Sequence, residues 1–145
     1  ENASGDRVAQ KSTVLVHAVW ATKRRARLLL PTMDAWLAQG LSALARRELC
    51  EVLAVGNADD HVHVLFALHH TTPLSVAIQQ LKGGSSHEWN ALKSAPHRLQ
   101  WQIGYWAESV SPRDVWSLER YIRNQRSHHA RSRAPEAWQL ESVVN

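Results

Sequence analysis

Apolar and polar positions along this chain repeat with two periods, one near two residues and one near four. Residues 12–20 (STVLVHAVW) are rich in β-branched and aromatic side chains and predict a strand. Thr32 then caps a helix over 32–50, with Trp36, Leu37, Leu41, Leu44 and Leu49 on one stripe. Residues 51–55 predict a short apolar strand, 56–60 (GNADD) have turn chemistry, and 61–68 predict the second arm of a hairpin. Thr72 and Pro73 open another helix, which carries Leu74, Ile78 and Leu81 and is expected to kink at Gly83-Gly84 before running on towards Leu92. A fourth strand falls within 99–110, with Trp101, Ile103 and Tyr105 on one face. Ser111, Pro112 and Asp114 then start a last helix, which runs to about residue 130. Trp138 and Leu140 are expected to tack the tail down.

The order is β-α-β-β-α-β plus one further helix. It predicts an α+β fold with a ferredoxin-like (split βαβ) antiparallel sheet and an additional C-terminal helix. That fold hosts many functions and settles none of them. A length of 145 residues suits one domain with one core. Residues 1–11 are polar and lack the apolar centre of a signal peptide, so they read as a disordered or cloning-derived tail ahead of a single domain over 12–145.

Charge adds a direction. Seventeen Lys and Arg stand against thirteen Asp and Glu, a formal net charge of +4. The basic residues cluster: Lys23, Arg24, Arg25 and Arg27 form one run, and Arg120, Arg123, Arg126, Arg131 and Arg133 another. Such clusters are what phosphate neutralisation requires, and they also occur as plain solvated surface. Cys50 is the only cysteine, which excludes an intrachain disulfide and a cysteine zinc site and fits a reducing, cytoplasmic setting. No apolar run is long enough to span a bilayer.

Two local patterns carry chemistry. In 60–66 (DHVHVLF), strand alternation puts His61 and His63 on one face and Val62, Val64 and Phe66 on the other. Two imidazoles on adjacent same-face positions can share a divalent metal, with Asp60 orienting one ring, or they can simply face solvent. In the last helix, Val115, Leu118 and Ile122 mark the core stripe, and Tyr121 and Gln125, four apart, are neighbours beside it. A phenol is a poor nucleophile at neutral pH, with a pKa of about 10, unless a nearby cation helps. The plainer alternative is a structural Tyr at the edge of an amphipathic helix.

Four stretches resemble a known family: residues 17–29 (HAVWATKRRARLL), 56–68 (GNADDHVHVLFAL), 101–111 (WQIGYWAESVS) and 121–129 (YIRNQRSHH). Together, in this order, they resemble the single-tyrosine HUH transposases of the smallest bacterial insertion sequences, with their REP-associated tyrosine relatives. The resemblance implies that Tyr121 is the nucleophile and that His61, His63 and Gln125 are ligands to Mg2+ or Mn2+. It implies cleavage and rejoining of single-stranded DNA through a 5′-phosphotyrosine, at element ends that carry hairpins. It also implies a homodimer, with neither a membrane nor a small-molecule substrate. Lys82 and Ser85 match the family's pattern, which adds Lys82 to Lys23, Arg24, Arg25, Arg27, Arg120, Arg123 and Arg126 as candidate DNA contacts. Glu108 and Asp59 depart from it. His128 and His129 follow it without a derivable role. The alternatives are a domesticated nuclease of REP-type hairpins, a non-catalytic DNA-binding relic, and a metal-dependent hydrolase that would not need Tyr121.

Overall fold

The computed structural model describes residues 12–127, and the expectations for 1–11, for His128, His129, Arg131 and Arg133, and for Trp138 and Leu140 lie outside them. Strand β1 is Leu15–Ala21, helix α1 Asp34–Arg47, strand β2 Glu51–Asn57 and strand β3 His61–Ala67. Helix α2 follows at Leu74–Ala91, strand β4 at Trp106–Val110 and helix α3 at Val115–Arg123. The sheet order is β2-β3-β1-β4. Every neighbouring pair is antiparallel. This is the α+β arrangement that a β-α-β-β-α-β chain adopts when the third strand inserts between the first two.

Both faces of the sheet are covered, which is why all of β1 and nearly all of β3 is buried. Val16, Ala18 and Trp20 of β1 and Val62, Val64 and Phe66 of β3 face the main core, with Leu37, Leu41 and Leu44 of α1 and Ile78 and Leu81 of α2. The opposite face carries a smaller cluster, in which Ala54, Leu65 and Ile122 are joined by Leu53, Val110, Val115, Leu118 and Tyr121. Helix α3 therefore lies across β2 and β3 on the side away from α1 and α2.

Several details differ from the pattern-based expectation. Thr32 makes no side-chain cap; a short 3-10 turn at Pro31–Met33 leads into α1. Leu49 is exposed rather than on the core stripe, because α1 ends first and Leu49 turns the chain at φ 62. Helix α2 runs through Gly83-Gly84 without a break. Gly84 serves packing instead: a Cβ there would stand 2.5 Å from a Leu44 methyl. The fourth strand is shorter than its pattern, because Gly104 at φ +93 turns the chain before it starts. Ile103 is 98% exposed, and Trp101 forms only an isolated bridge with Thr22. Helix α3 reaches Arg123, turns at Asn124 and is helical again from Gln125.

Candidate active site

Alternation along β3 puts His61 and His63 on the face covered by α3, and both are fully buried at 0% exposure. That excludes the reading in which they look into solvent. The approach of α3 depends on Gly56, which pairs with His63 across β2 and β3. A Cβ at Gly56 would meet the Ile122 carbonyl carbon at 2.6 Å and fall closer still to its oxygen. Only glycine admits the helix backbone at this distance.

Tyr121, one residue before Ile122, stands edge-on to His63 with ring centroids 5.6 Å apart. One turn later, Gln125 is buried and its Oε1 lies 3.4 Å from His61 Nε2. The Gln125 amide nitrogen donates to the Tyr121 carbonyl at 3.2 Å, which fixes the oxygen as the end that faces the histidine. Tyr121, Gln125, His61 and His63 thus converge within one chain. Tyr121 also borders two shallow depressions, one lined by Trp116, Ser117, Arg120 and Asn124, the other by Glu108, Ser111 and Asp114 among others.

The bonds around the two imidazoles engage one nitrogen of each ring. Asp60 Oδ1 lies 2.8 Å from His61 Nδ1. Burial pushes the Asp60 carboxyl up, but hydrogen bonds from His61 and Arg25 and the Arg25 charge outweigh it, so the pKa falls from 3.8 to about 2. An ionised carboxylate only accepts, so His61 Nδ1 carries a proton, and Nε2 is the ring nitrogen that faces Gln125 Oε1. His61 Nε2 and Gln125 Oε1, 3.4 Å apart, are spaced as two ligands of one cation would be. With ligand bonds of about 2 Å, two neighbouring ligands on one ion stand about 3 Å apart. His17 holds His63 Nδ1 at 2.9 Å, so Nε2 is the His63 nitrogen that a metal would take. Two imidazoles and an amide oxygen form a donor set that fits a divalent metal ion. Among the described residues no three His, Cys, Asp or Glu side chains gather into a cage.

The basic candidates divide into two kinds. Lys23, Arg24, Arg25 and Arg27 are exposed on the loop after β1, and Arg25 forms a two-pronged pair with Asp60, at 3.1 and 3.3 Å. Arg120 is exposed and stacks over Trp116, 4.8 Å from the ring centroid. The others also bond within the fold. Lys82 Nζ donates to the Gln102 and Gly104 carbonyls at 2.8 and 2.6 Å and holds the loop before β4. Arg123 donates to Leu53 O at 3.0 Å, where a bulge in β2 turns that carbonyl outward. Arg126 donates to both oxygens of Asp34, to Asp59 and to the Leu29 carbonyl, so internal acceptors surround it. His17 is the buried member of the cluster to which the sequence reading attached no role; its one local signal is a histidine inside an otherwise apolar strand.

The fold and this cluster place the chain among the transposases. Residues 10–125 match the family of IS200-like transposases, and the chain belongs to it. A candidate transposase from Deinococcus radiodurans R1 is similar in structure, with a TM-score of 0.63 and 25% identity over 83% of this chain and 96% of that one. A REP-associated tyrosine transposase, solved bound to a REP hairpin, shares the fold with a TM-score of 0.56 and 22% identity, over 80% of this chain and 67% of that one. No match was found among proteins of curated function. Among the described residues no helix is long and apolar enough to cross a membrane.

Proposed function

We propose that this chain cuts and rejoins single-stranded DNA, with Tyr121 as the nucleophile and residues 12–145 as one catalytic domain. The observation that carries this reading is the edge-on placement of Tyr121 against buried His63, 5.6 Å between ring centroids, on the helix that also delivers Gln125 to His61. A purely structural tyrosine would not need a pair of buried imidazoles and an amide oxygen beside it.

In this reading the Tyr121 oxygen attacks a DNA phosphorus and the bond to the 3′ oxygen breaks. The phenol loses its proton and the departing 3′ oxygen gains one. The 5′ side stays on the protein as a phosphotyrosine ester. A 3′ hydroxyl attacking that ester reverses the step, so one phosphate ester replaces another and rejoining needs no ATP. A Mg2+ or Mn2+ ion bound by His61, His63 and Gln125 would neutralise phosphate charge and favour the phenolate. The protein's part is positional: Asp60 orients His61, Gly56 lets the tyrosine helix sit close, and Trp116 and Arg120 border the approach to the phenol. The hairpin in the solved REP-associated relative makes hairpin-bearing single strands the substrate class proposed here. The homodimer that the resemblance implies belongs to the proposal as well.

The test is a denaturing gel of the protein with labelled single-stranded hairpin DNA and Mn2+. Wild type is expected to give a covalent protein–DNA band that EDTA and Tyr121→Phe both abolish, with DNA binding retained in the variant. Cleavage that survives Tyr121→Phe would point to a hydrolase, and binding with no adduct to a non-catalytic DNA-binding protein.

A further inference from the structure

His17 carries no role in the reading above, yet it is built into the site. It lies on β1, 5% exposed, with Nε2 2.9 Å from His63 Nδ1. The two ring planes lie within 23° of each other with centroids 5.1 Å apart, as suits an in-plane bond between ring nitrogens, and Trp106 packs edge-on against His17 at 5.3 Å. His63 also contacts Tyr121 and His61 through its ring, so His17 is one contact removed from both.

A hydrogen bond between two neutral imidazoles couples their tautomers, because one nitrogen must bring the proton and the other the lone pair. If His17 Nε2 accepts, His63 carries its proton on Nδ1 and presents a lone pair at Nε2. If His17 Nε2 donates, His63 Nδ1 accepts and Nε2 keeps the proton, so that nitrogen cannot bind a cation. Which ring nitrogen of a metal-binding histidine is available is set by the bond the other nitrogen makes. Asp60 makes that bond for His61. Among the described residues, His17 lies at hydrogen-bond distance from His63 Nδ1.

We propose that His17 is a positioning residue, which accepts from His63 Nδ1–H and thereby holds His63 as the tautomer that binds a divalent cation through Nε2. The proposal rests on the reading of His61 and His63 as metal ligands. It gives the two histidines different supports: a carboxylate for His61, and an imidazole confined by Trp106 for His63.

The test measures Mn2+ binding to the full chain by titration calorimetry, without DNA, for wild type, His63→Ala, His17→Leu and His17→Gln. His17→Leu removes the acceptor. His17→Gln puts an amide oxygen near the former Nε2 position. The expected result is affinity weakened ~10–100-fold in His17→Leu, the range for losing an outer support of a ligand, and largely restored in His17→Gln. His17→Leu binding as wild type does would overturn the role of His17 and leave the metal reading standing. Equal binding by wild type and His63→Ala would overturn the metal reading itself, and the proposal with it. Should His17→Leu fail to fold, imidazole 15N shifts of the Mg2+-loaded wild type decide the matter: the His17 proton is expected on Nδ1, and a proton on Nε2 would overturn the proposal.

Discussion

Arg126 grips Asp34 with two parallel hydrogen bonds of 2.8 Å each, joining the segment after Tyr121 to the start of α1. Asp59, in the turn before His61, and the Leu29 carbonyl take further donors of the same guanidinium. Hydrogen bonds to both carboxylates and their charge, working against burial, raise the Arg126 pKa. The grip fixes the residue next to Gln125 on three separate parts of the chain. Arg126→Ala is expected to cost ~1–2 kcal/mol, less than a buried pair would, because the Asp34 and Asp59 side chains are 41% and 48% exposed. Arg126→Lys should recover little, since an ammonium lacks the planar fork. Urea unfolding of Arg126→Ala, Asp34→Ala and the double variant checks this; strictly additive losses would show that the pair contributes no coupling.

Gly56→Ala should be destabilising, although alanine normally suits a strand better than glycine. The added methyl would collide with the Ile122 backbone, which has no flexible end to swing away. The expected loss is about 2–3 kcal/mol, at the upper end for overpacking. Because Ile122 adjoins Tyr121, adduct formation with hairpin DNA should fall in the molecules that remain folded. A melt unchanged from wild type would mean that α3 does not sit this close to β2. Gly84→Ala is the control, since its contact is with the mobile end of the Leu44 side chain and should be milder.

The parts of this site that were legible in the sequence are those set by local periodicity. Alternation alone separates His61 and His63 from Val62, Val64 and Phe66, and a spacing of four brings Gln125 under Tyr121. His17 was not legible, because its bond to His63 depends on how β1 registers against β3. The internal partners of Arg126 were hidden for a similar reason: Asp34 and Asp59 lie far from the run of arginines in sequence. In 99–105 the pattern misled. Trp101, Ile103 and Tyr105 alternate as a strand would, but their segment is a loop tied down by Lys82 and by Gln102, whose Oε1 accepts from the Arg24 backbone N–H. Side-chain pattern cannot show where a backbone finds its partners.

Asp60 ties an acid-range pH dependence to the candidate metal site. Its carboxyl titrates at about 2 in the fold against an ordinary 3.8. A depressed carboxylate stabilises the fold at pH values above its unfolded pKa, and the contribution drains away as pH falls from about 4 towards 2. With the Asp60 side chain 26% exposed, ~1–2 kcal/mol is expected at neutral pH once solvent screening is counted. Asp60→Asn should lose that amount at pH 7 and show a flatter stability curve between pH 4 and 2. It should also weaken Mn2+ binding by ~10-fold, as an outer support of His61. Stability measured by urea unfolding at a series of pH values checks the first part; parallel curves for the two proteins would assign the low pKa no part in folding.

Trp116 gives the most direct handle on the DNA strand. It is 70% exposed, carries Arg120 over its face, and borders the depression that Tyr121 also lines. An exposed indole beside a guanidinium is a platform on which an unpaired base can stack, an interaction worth ~1–3 kcal/mol per base. Trp116→Ala is therefore expected to weaken binding of an unstructured oligonucleotide by about 10-fold, with little effect on a blunt duplex, whose bases stay stacked on one another. Arg120→Ala should act differently. Removing one phosphate contact lowers the slope of log K against log salt by about 0.7 for a single strand, whatever the base sequence. Fluorescence anisotropy over a salt series separates the two effects. If Trp116→Ala binds the single strand as tightly as wild type does, the base stacks elsewhere and the depression beside Tyr121 is not the strand's path.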